Sequence, residues 1–223
     1  MDREDLRKRR EFLKGLAAAA GGVVLLPYVS ACSSGEQSET AAAAAGSEGV
    51  SAPPLVKPSG WDPIAYNRTR GNAGAIPDSY LPDINGEDGV IMHLGKHLPY
   101  VVDPDGAPVG FLPLMWGDPS KGYARHPNAP EGEENNYEGH WYNWIRVRKA
   151  VEGDAEELER TFTQWPADDP TKYLVLGGGD LTADSGKNTI YLVGMPDDVQ
   201  PGDTVRIWAH CLTHGEYVDF LTL

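Results

Sequence analysis

The apolar residues of this chain come in short runs separated by turn-forming residues, and that spacing leaves few folds open to it. The runs lie at 89–94, 100–102, 109–114, 141–147, 173–176, 189–193, 205–209 and 217–221. Between them stand Asp103-Pro104-Asp105-Gly106, Gly177-Gly178-Gly179-Asp180 and Pro196-Asp197-Asp198, which supply the fixed or positive φ values that reverse a chain. Runs of strand length with frequent reversals predict an all-β body, an antiparallel sandwich or barrel. Only 151–161 can pass for a helix, against the presence of Gly153 and a high density of acid. The body is expected over 61–223. No internal repeat is present.

The first 60 residues have a different composition. Lys8-Arg9-Arg10-Glu11-Phe12-Leu13-Lys14 carries adjacent arginines followed by Phe-Leu-Lys and resembles a twin-arginine export signal. The apolar stretch after it, 16–29, is broken by Gly21, Gly22 and Pro27 and is short for a membrane-spanning helix. Val29-Ser30-Ala31-Cys32 resembles a lipobox, in which Cys32 is lipidated and becomes the first mature residue. The alternative is an uncleaved N-terminal anchor. Both readings put the body outside the cytoplasm, touching membrane only through its anchor. Residues 33–60, with the Ala41–Ala45 run and Pro53-Pro54, hold little that can pack and read as a flexible linker.

Charge and cysteine content narrow the function classes. The chain has 33 acidic and 19 basic side chains, formal net charge −14, and the signal-like segment is itself basic, so the body is more acidic still. Such a surface argues against nucleic acid or anionic lipid as a partner. The two cysteines are Cys32 and Cys211. With Cys32 assigned to lipidation, no disulfide is expected, and a thiol left alone in an exported chain needs another role.

Cys211 and His214 form a C-x2-H step directly after the alternation Val205, Ile207, Ala209. A strand that ends in a tight turn can aim a thiolate and an imidazole at one point, and sulfur with nitrogen selects a transition metal. Further donors must come from upstream. Lys96-His97-Leu98-Pro99, Arg125-His126-Pro127 and His140-Trp141-Tyr142-Asn143-Trp144-Ile145 offer them. His210 neighbours Cys211 on the strand and so points to the opposite face. It reads as structural, as does His93.

In this order the motifs resemble the superoxide reductase domain of the neelaredoxin and desulfoferrodoxin family, over residues 88–220. That family carries a Lys-His-x-Pro loop, a His-Pro, a His-aromatic-x-x-Trp-Ile strand and a C-terminal Cys-x-x-His-Gly. The resemblance implies an immunoglobulin-like β-sandwich with one iron per chain, bound by His97, His126, His140 and His214 in a plane and by Cys211 on the axis. It implies one-electron reduction of superoxide to hydrogen peroxide, with Lys96 attracting the anion and aiding its protonation. An electron donor, unidentified, is implied as partner, and the resemblance leaves room for a homo-oligomer. Two departures stand out: the family often has Glu where this chain has Gly95, and the gap between His126 and His140 is longer, with an acidic insert at 129–136. The four-cysteine iron centre of desulfoferrodoxins has no counterpart, which points to the single-iron form. Two alternatives belong to other classes. A cupredoxin-like copper carrier uses Cys, two His and usually a following Met, but no Met follows Met195. A metal-binding lipoprotein without catalysis is the other.

Overall fold

The structure, a computed structural model, describes residues 50–132, 139–167 and 169–223. The signal-like segment, Cys32 and the linker up to residue 49 lie outside the described residues, as do residues 133–138, which include the second half of the acidic insert. No helix among the described residues is long and apolar enough to cross a membrane.

Eight strands carry the body: β1 (Pro99–Val101), β2 (Phe111–Trp116), β3 (Tyr142–Lys149), β4 (Glu157–Thr161), β5 (Tyr173–Val175), β6 (Thr189–Gly194), β7 (Thr204–Cys211) and β8 (Gly215–Thr222). They form two four-stranded sheets, β1-β2-β6-β5 and β4-β3-β7-β8, with every pair antiparallel. If the strands are named A, B, C, C′, D, E, F and G in chain order, the sheets are A-B-E-D and C′-C-F-G, the immunoglobulin-like arrangement.

Strand alternation builds the core. On β7, Val205, Ile207, Ala209 and Cys211 are buried inward, while Arg206, Trp208 and His210 take the other face. Leu112, Leu114, Trp116, Tyr191 and Val193 of one sheet meet Ile145, Val147 and the β7 residues of the other in a single apolar cluster. On β3 the register shifts between Tyr142 and Trp144, an irregularity of the bulge type. It lets Tyr142 and Ile145, an odd number of residues apart, both point inward.

Two expectations fail, and both failures concern local pattern against tertiary context. Residues 89–94, expected as strand, form a wide helical turn, Gly89–Leu94, that leaves Val90, Ile91 and Met92 exposed. Gly89 permits this close turn against the short helix Leu81–Asn85, since a Cβ there would lie 2.4 Å from the Ile84 carbonyl oxygen. Residues 151–161, the candidate helix, instead contain β4. The alternation of Glu157, Leu158, Glu159, Arg160 and Thr161 matches a strand, and Arg146 on β3 pairs with Glu159 at 2.6 Å.

A helical layer precedes the sandwich. Helix α1 (Pro63–Arg70) starts where the Asp62 carboxylate accepts from the Ile64 and Ala65 N–H groups, with Pro63 at the first helical position. Its buried residues are polar, Asn67 and Arg70. The Asn67 amide donates to the Val218 carbonyl at 2.7 Å and accepts from the Val218 N–H at 2.8 Å, which ties α1 to the outer side of β8. Arg70 pairs with Glu216 at 3.1 Å in a buried ion pair. Farther upstream, Pro53 is buried, and Arg206 donates to the carbonyls of Pro53 and Pro54.

Candidate metal centre

Each of the five candidate ligands is delivered by a different local device. His97 closes a tight turn, Gly95–His97, immediately before β1. His126 follows β2, and its N–H bonds back to the Trp116 carbonyl at 3.1 Å. His140 lies beyond the acidic insert, yet a two-way bridge holds it: Ala129 N–H to His140 carbonyl at 3.0 Å and His140 N–H to Ala129 carbonyl at 2.9 Å. The two ends of the long gap therefore stay together. Gly139 permits this, with φ of +103° and a Cβ position that would fall 1.9 Å from the Trp141 ring. Cys211 ends β7 and His214 sits in the hairpin to β8, whose ladder closes on the Cys211–Gly215 pair.

The donor atoms converge. One atom each from His97, His126, His140, Cys211 and His214 all lie within 4.8 Å of one another. His214 Nδ1 is 3.1 Å from His97 Nε2 and 2.9 Å from His140 Nε2. Cys211 Sγ is 3.6 Å from His126 Nε2 and 3.8 Å from His214 Nδ1. The His126 ring adjoins both His97 and His140, with centroids 4.9 and 4.4 Å apart, whereas the His97 and His140 rings are 6.5 Å apart. The four imidazoles thus run in a cycle, His214, His97, His126, His140, with the thiol beside it.

This arrangement fits a cation better than it fits protons. The His97 Nδ1–H donates to the His93 carbonyl, so the neutral ring turns its Nε2 lone pair toward His214. His214 Nδ1 faces two ring nitrogens and cannot satisfy both with one proton. Imidazoles sharing a cation at right angles, with bonds of about 2.0–2.1 Å, would stand about 3 Å apart, as the two short edges do. Burial, reinforced by the neighbouring imidazoles and Lys96, holds His97 and His126 well below the usual histidine range. Burial chiefly, with Lys96, pulls His140 down to about 3; burial with His140 and Lys96 pulls His214 down to about 2. Burial pushes the Cys211 thiol up to about 12. Without a cation the pocket therefore holds four neutral imidazoles and a thiol. His97, His126 and Cys211 are buried, while His140 and His214 are partly exposed, so solvent reaches the cluster from their side.

Three tyrosines line the ligand rings, and the motif pattern did not single them out. Tyr217 stacks on His97 with centroids 4.2 Å apart and planes 7° apart. Tyr80 stacks on His214 at 3.9 Å and 24°. Tyr142 lies against His126 at 4.8 Å. Tyr142 is two residues beyond His140 in a strand-like segment, a period that would have pointed to it; nothing in the sequence marks Tyr80.

Lys96 is half-buried, with Nζ 5.4 Å from the centre of the Tyr80 ring. Burial lowers its pKa, and Cys211 and Asp83 partly restore it. Lys96 also lines an open pocket of about 620 Å³ with Met92, Tyr123, Arg125, Pro127 and Lys187. Lys96, Arg125 and Lys187 are cations, and Asp184, which also lines the pocket, pairs with Lys187 at 3.3 Å. Gly95 has a structural reason: a Cβ there would lie 2.3 Å from the Tyr123 ring and 2.6 Å from the Val90 carbonyl oxygen. The two remaining histidines stay outside the cluster, as expected from their positions. His210 bonds Asn143 Oδ1 at 2.6 Å and stacks on Trp144, and His93 bonds the Tyr80 hydroxyl through Nδ1 at 2.8 Å.

Comparison of the chain with family models, with curated proteins and with solved structures finds no match. The site stands on its own geometry: four histidines and one cysteine, gathered by an all-β fold into a group that can hold a metal ion.

Proposed function

We propose that the five side chains hold one iron ion and that the chain reduces superoxide to hydrogen peroxide outside the cytoplasm. The observation that carries this reading is the convergence of His97, His126, His140, His214 and Cys211, all five residues to which the resemblance to superoxide reductases assigns the iron. When bound, the iron supplies the transferred electron and a coordination position for a small anion.

The chain's own residues account for the rest. His97, His126 and His140 present Nε2 and His214 presents Nδ1 to the cluster, and each ring is held neutral, so each has a nitrogen lone pair to give a cation without first losing a charge-bearing proton. Cys211 loses its proton only to a bound cation, and as thiolate it is a strong electron donor. Lys96, next to His97, brings positive charge toward the cluster and offers ammonium protons for a reaction that consumes two protons per superoxide. Arg125 extends that positive charge along the neighbouring pocket, where Lys187 is paired with Asp184, and offsets part of the repulsion of an acidic protein for an anionic substrate.

Metal analysis of the full chain purified from its native compartment, followed by pulse-generated superoxide, tests the proposal. Iron near one per chain and peroxide formation without dioxygen release are expected. Copper would favour the electron-carrier reading, which has no use for two of the converged histidines. Zinc, or no metal at all, would favour a non-catalytic lipoprotein. Cys211→Ser is expected to abolish activity at any salt concentration, with loss of iron. Anchoring through Cys32 is tested separately by mass spectrometry of the mature N-terminus.

A further inference from the structure

Tyr80, Tyr142 and Tyr217 all touch ligand imidazoles, but their hydroxyl groups differ. Those of Tyr142 and Tyr217 are buried without a hydrogen-bond partner among the described residues. Tyr80 alone of the three has a base in place, His93 Nδ1 at 2.8 Å. It also makes the shortest ring contact with a ligand, 3.9 Å to His214. Oxidation of a buried phenol requires somewhere for its proton to go, since the ionised radical is a very strong acid. His93, partly exposed and outside the ligand set, can accept that proton on Nδ1 and release another from Nε2 to solvent. The backbone fixes the pair: the His93 carbonyl accepts from His97 Nδ1, so His93 cannot shift without moving a ligand.

We propose that Tyr80 is a redox-active residue that supplies one electron through His214 when peroxide meets the reduced metal centre, its proton passing to His93. The balance is that of peroxide reduction. Hydrogen peroxide takes two electrons and two solvent protons to give two molecules of water. One electron comes from the reduced metal ion and the other from Tyr80, whose O–H bond breaks as an N–H bond forms at His93. The consequence is protective. The second oxidising equivalent settles on Tyr80, which an external reductant can restore, and spares Cys211, whose thiolate would otherwise go to sulfinic and sulfonic acid. The inference rests on the metal centre proposed above but not on superoxide as its substrate.

The test uses the full chain loaded with ferrous iron, mixed with hydrogen peroxide and freeze-quenched for electron paramagnetic resonance. A tyrosyl signal is expected, coupled to an exchangeable proton from the His93 hydrogen bond. Tyr80→Phe keeps the ring on His214 and is expected to lose the signal. Peptide mass spectrometry of the same samples should show Cys211 oxidation rising several-fold in that variant. His93→Gln leaves Tyr80 in place and is expected to lower the signal several-fold and remove the coupling; it carries the comparison should Tyr80→Phe fail to hold iron. A signal unchanged in Tyr80→Phe, no tyrosyl signal in the parent, or equal Cys211 oxidation in parent and variant overturns the inference. Superoxide reduction is assayed apart: a parent that forms the Tyr80 radical yet ignores superoxide keeps this inference and loses the functional reading, and the converse result does the opposite.

Discussion

Acidification of the metal-free protein is the most direct probe of the centre, because its cost follows from four histidines held neutral. Each has a folded-state pKa below its unfolded value of about 6.5. For a group depressed in this way the unfolded chain binds the proton first, so stability is intact well above about pH 6.5 and falls as pH drops through that value. At about pH 5.5 the unfolded chain gains about 1.4 kcal/mol per histidine, whatever the folded pKa, provided that it lies well below 5.5. Four such groups give about 5–6 kcal/mol between about pH 7.5 and 5.5, comparable with the whole stability of an ordinary domain. Urea unfolding of chelator-treated protein, followed by tryptophan fluorescence across this range, measures the slope. His97→Gln should remove about 1.4 kcal/mol of the loss. A metal-free protein equally stable at both ends would mean that the imidazoles take up protons in the folded state, and the packing argument for the cluster would fail.

Three further outcomes are expected. Lys96→Ala should retain iron and slow the encounter with superoxide, and the deficit should shrink as salt rises, since ions screen such attraction beyond about 10 Å at roughly 0.1 M; equal rates at low salt would move the role to Arg125. Gly95→Ala should destabilise by about 1–3 kcal/mol, measured by denaturant midpoint, because the new methyl group meets the Tyr123 ring and the Val90 carbonyl; a neutral result would mean that Tyr123 yields freely. Glu216→Leu should cost about 3–5 kcal/mol by stranding the Arg70 guanidinium, which lies buried against Glu216, and Arg70→Met in the same background should recover part of the loss.

The ligands were legible because each sits in a short motif whose neighbours are informative: the Pro after His126, the Gly after His214, the aromatic strand after His140. Most strands were legible too, since β2, β3, β6, β7 and β8 are largely apolar runs bounded by turn residues. The helical layer was not. The residues that α1 buries are Asn67 and Arg70, so hydrophobic periodicity has nothing to register, and only the Asp62-Pro63 start marks the helix. β4 was hidden by its charge, because its acidic and basic residues are selected by partners on β3 and by Arg206 rather than by burial. Tyr80 was hidden for a third reason: stacking on an imidazole is a tertiary relation, and Tyr80 is far from every ligand in sequence.

The Asn67 amide has a meaning beyond its two hydrogen bonds. β8 is the last strand of its sheet, and a bare last strand is a template on which another chain can add its own. Asn67 occupies the N–H and the carbonyl of Val218 as a one-residue strand would, and the Asp219 carboxylate accepts from the Phe220 N–H two positions on. The edge is thereby closed to newcomers by side chains rather than by a ninth strand. Peeling away of residues 63–70 would reopen it while the sandwich was still intact. Loss of soluble protein at high concentration would then precede unfolding, through β8 pairing with the same strand of another copy.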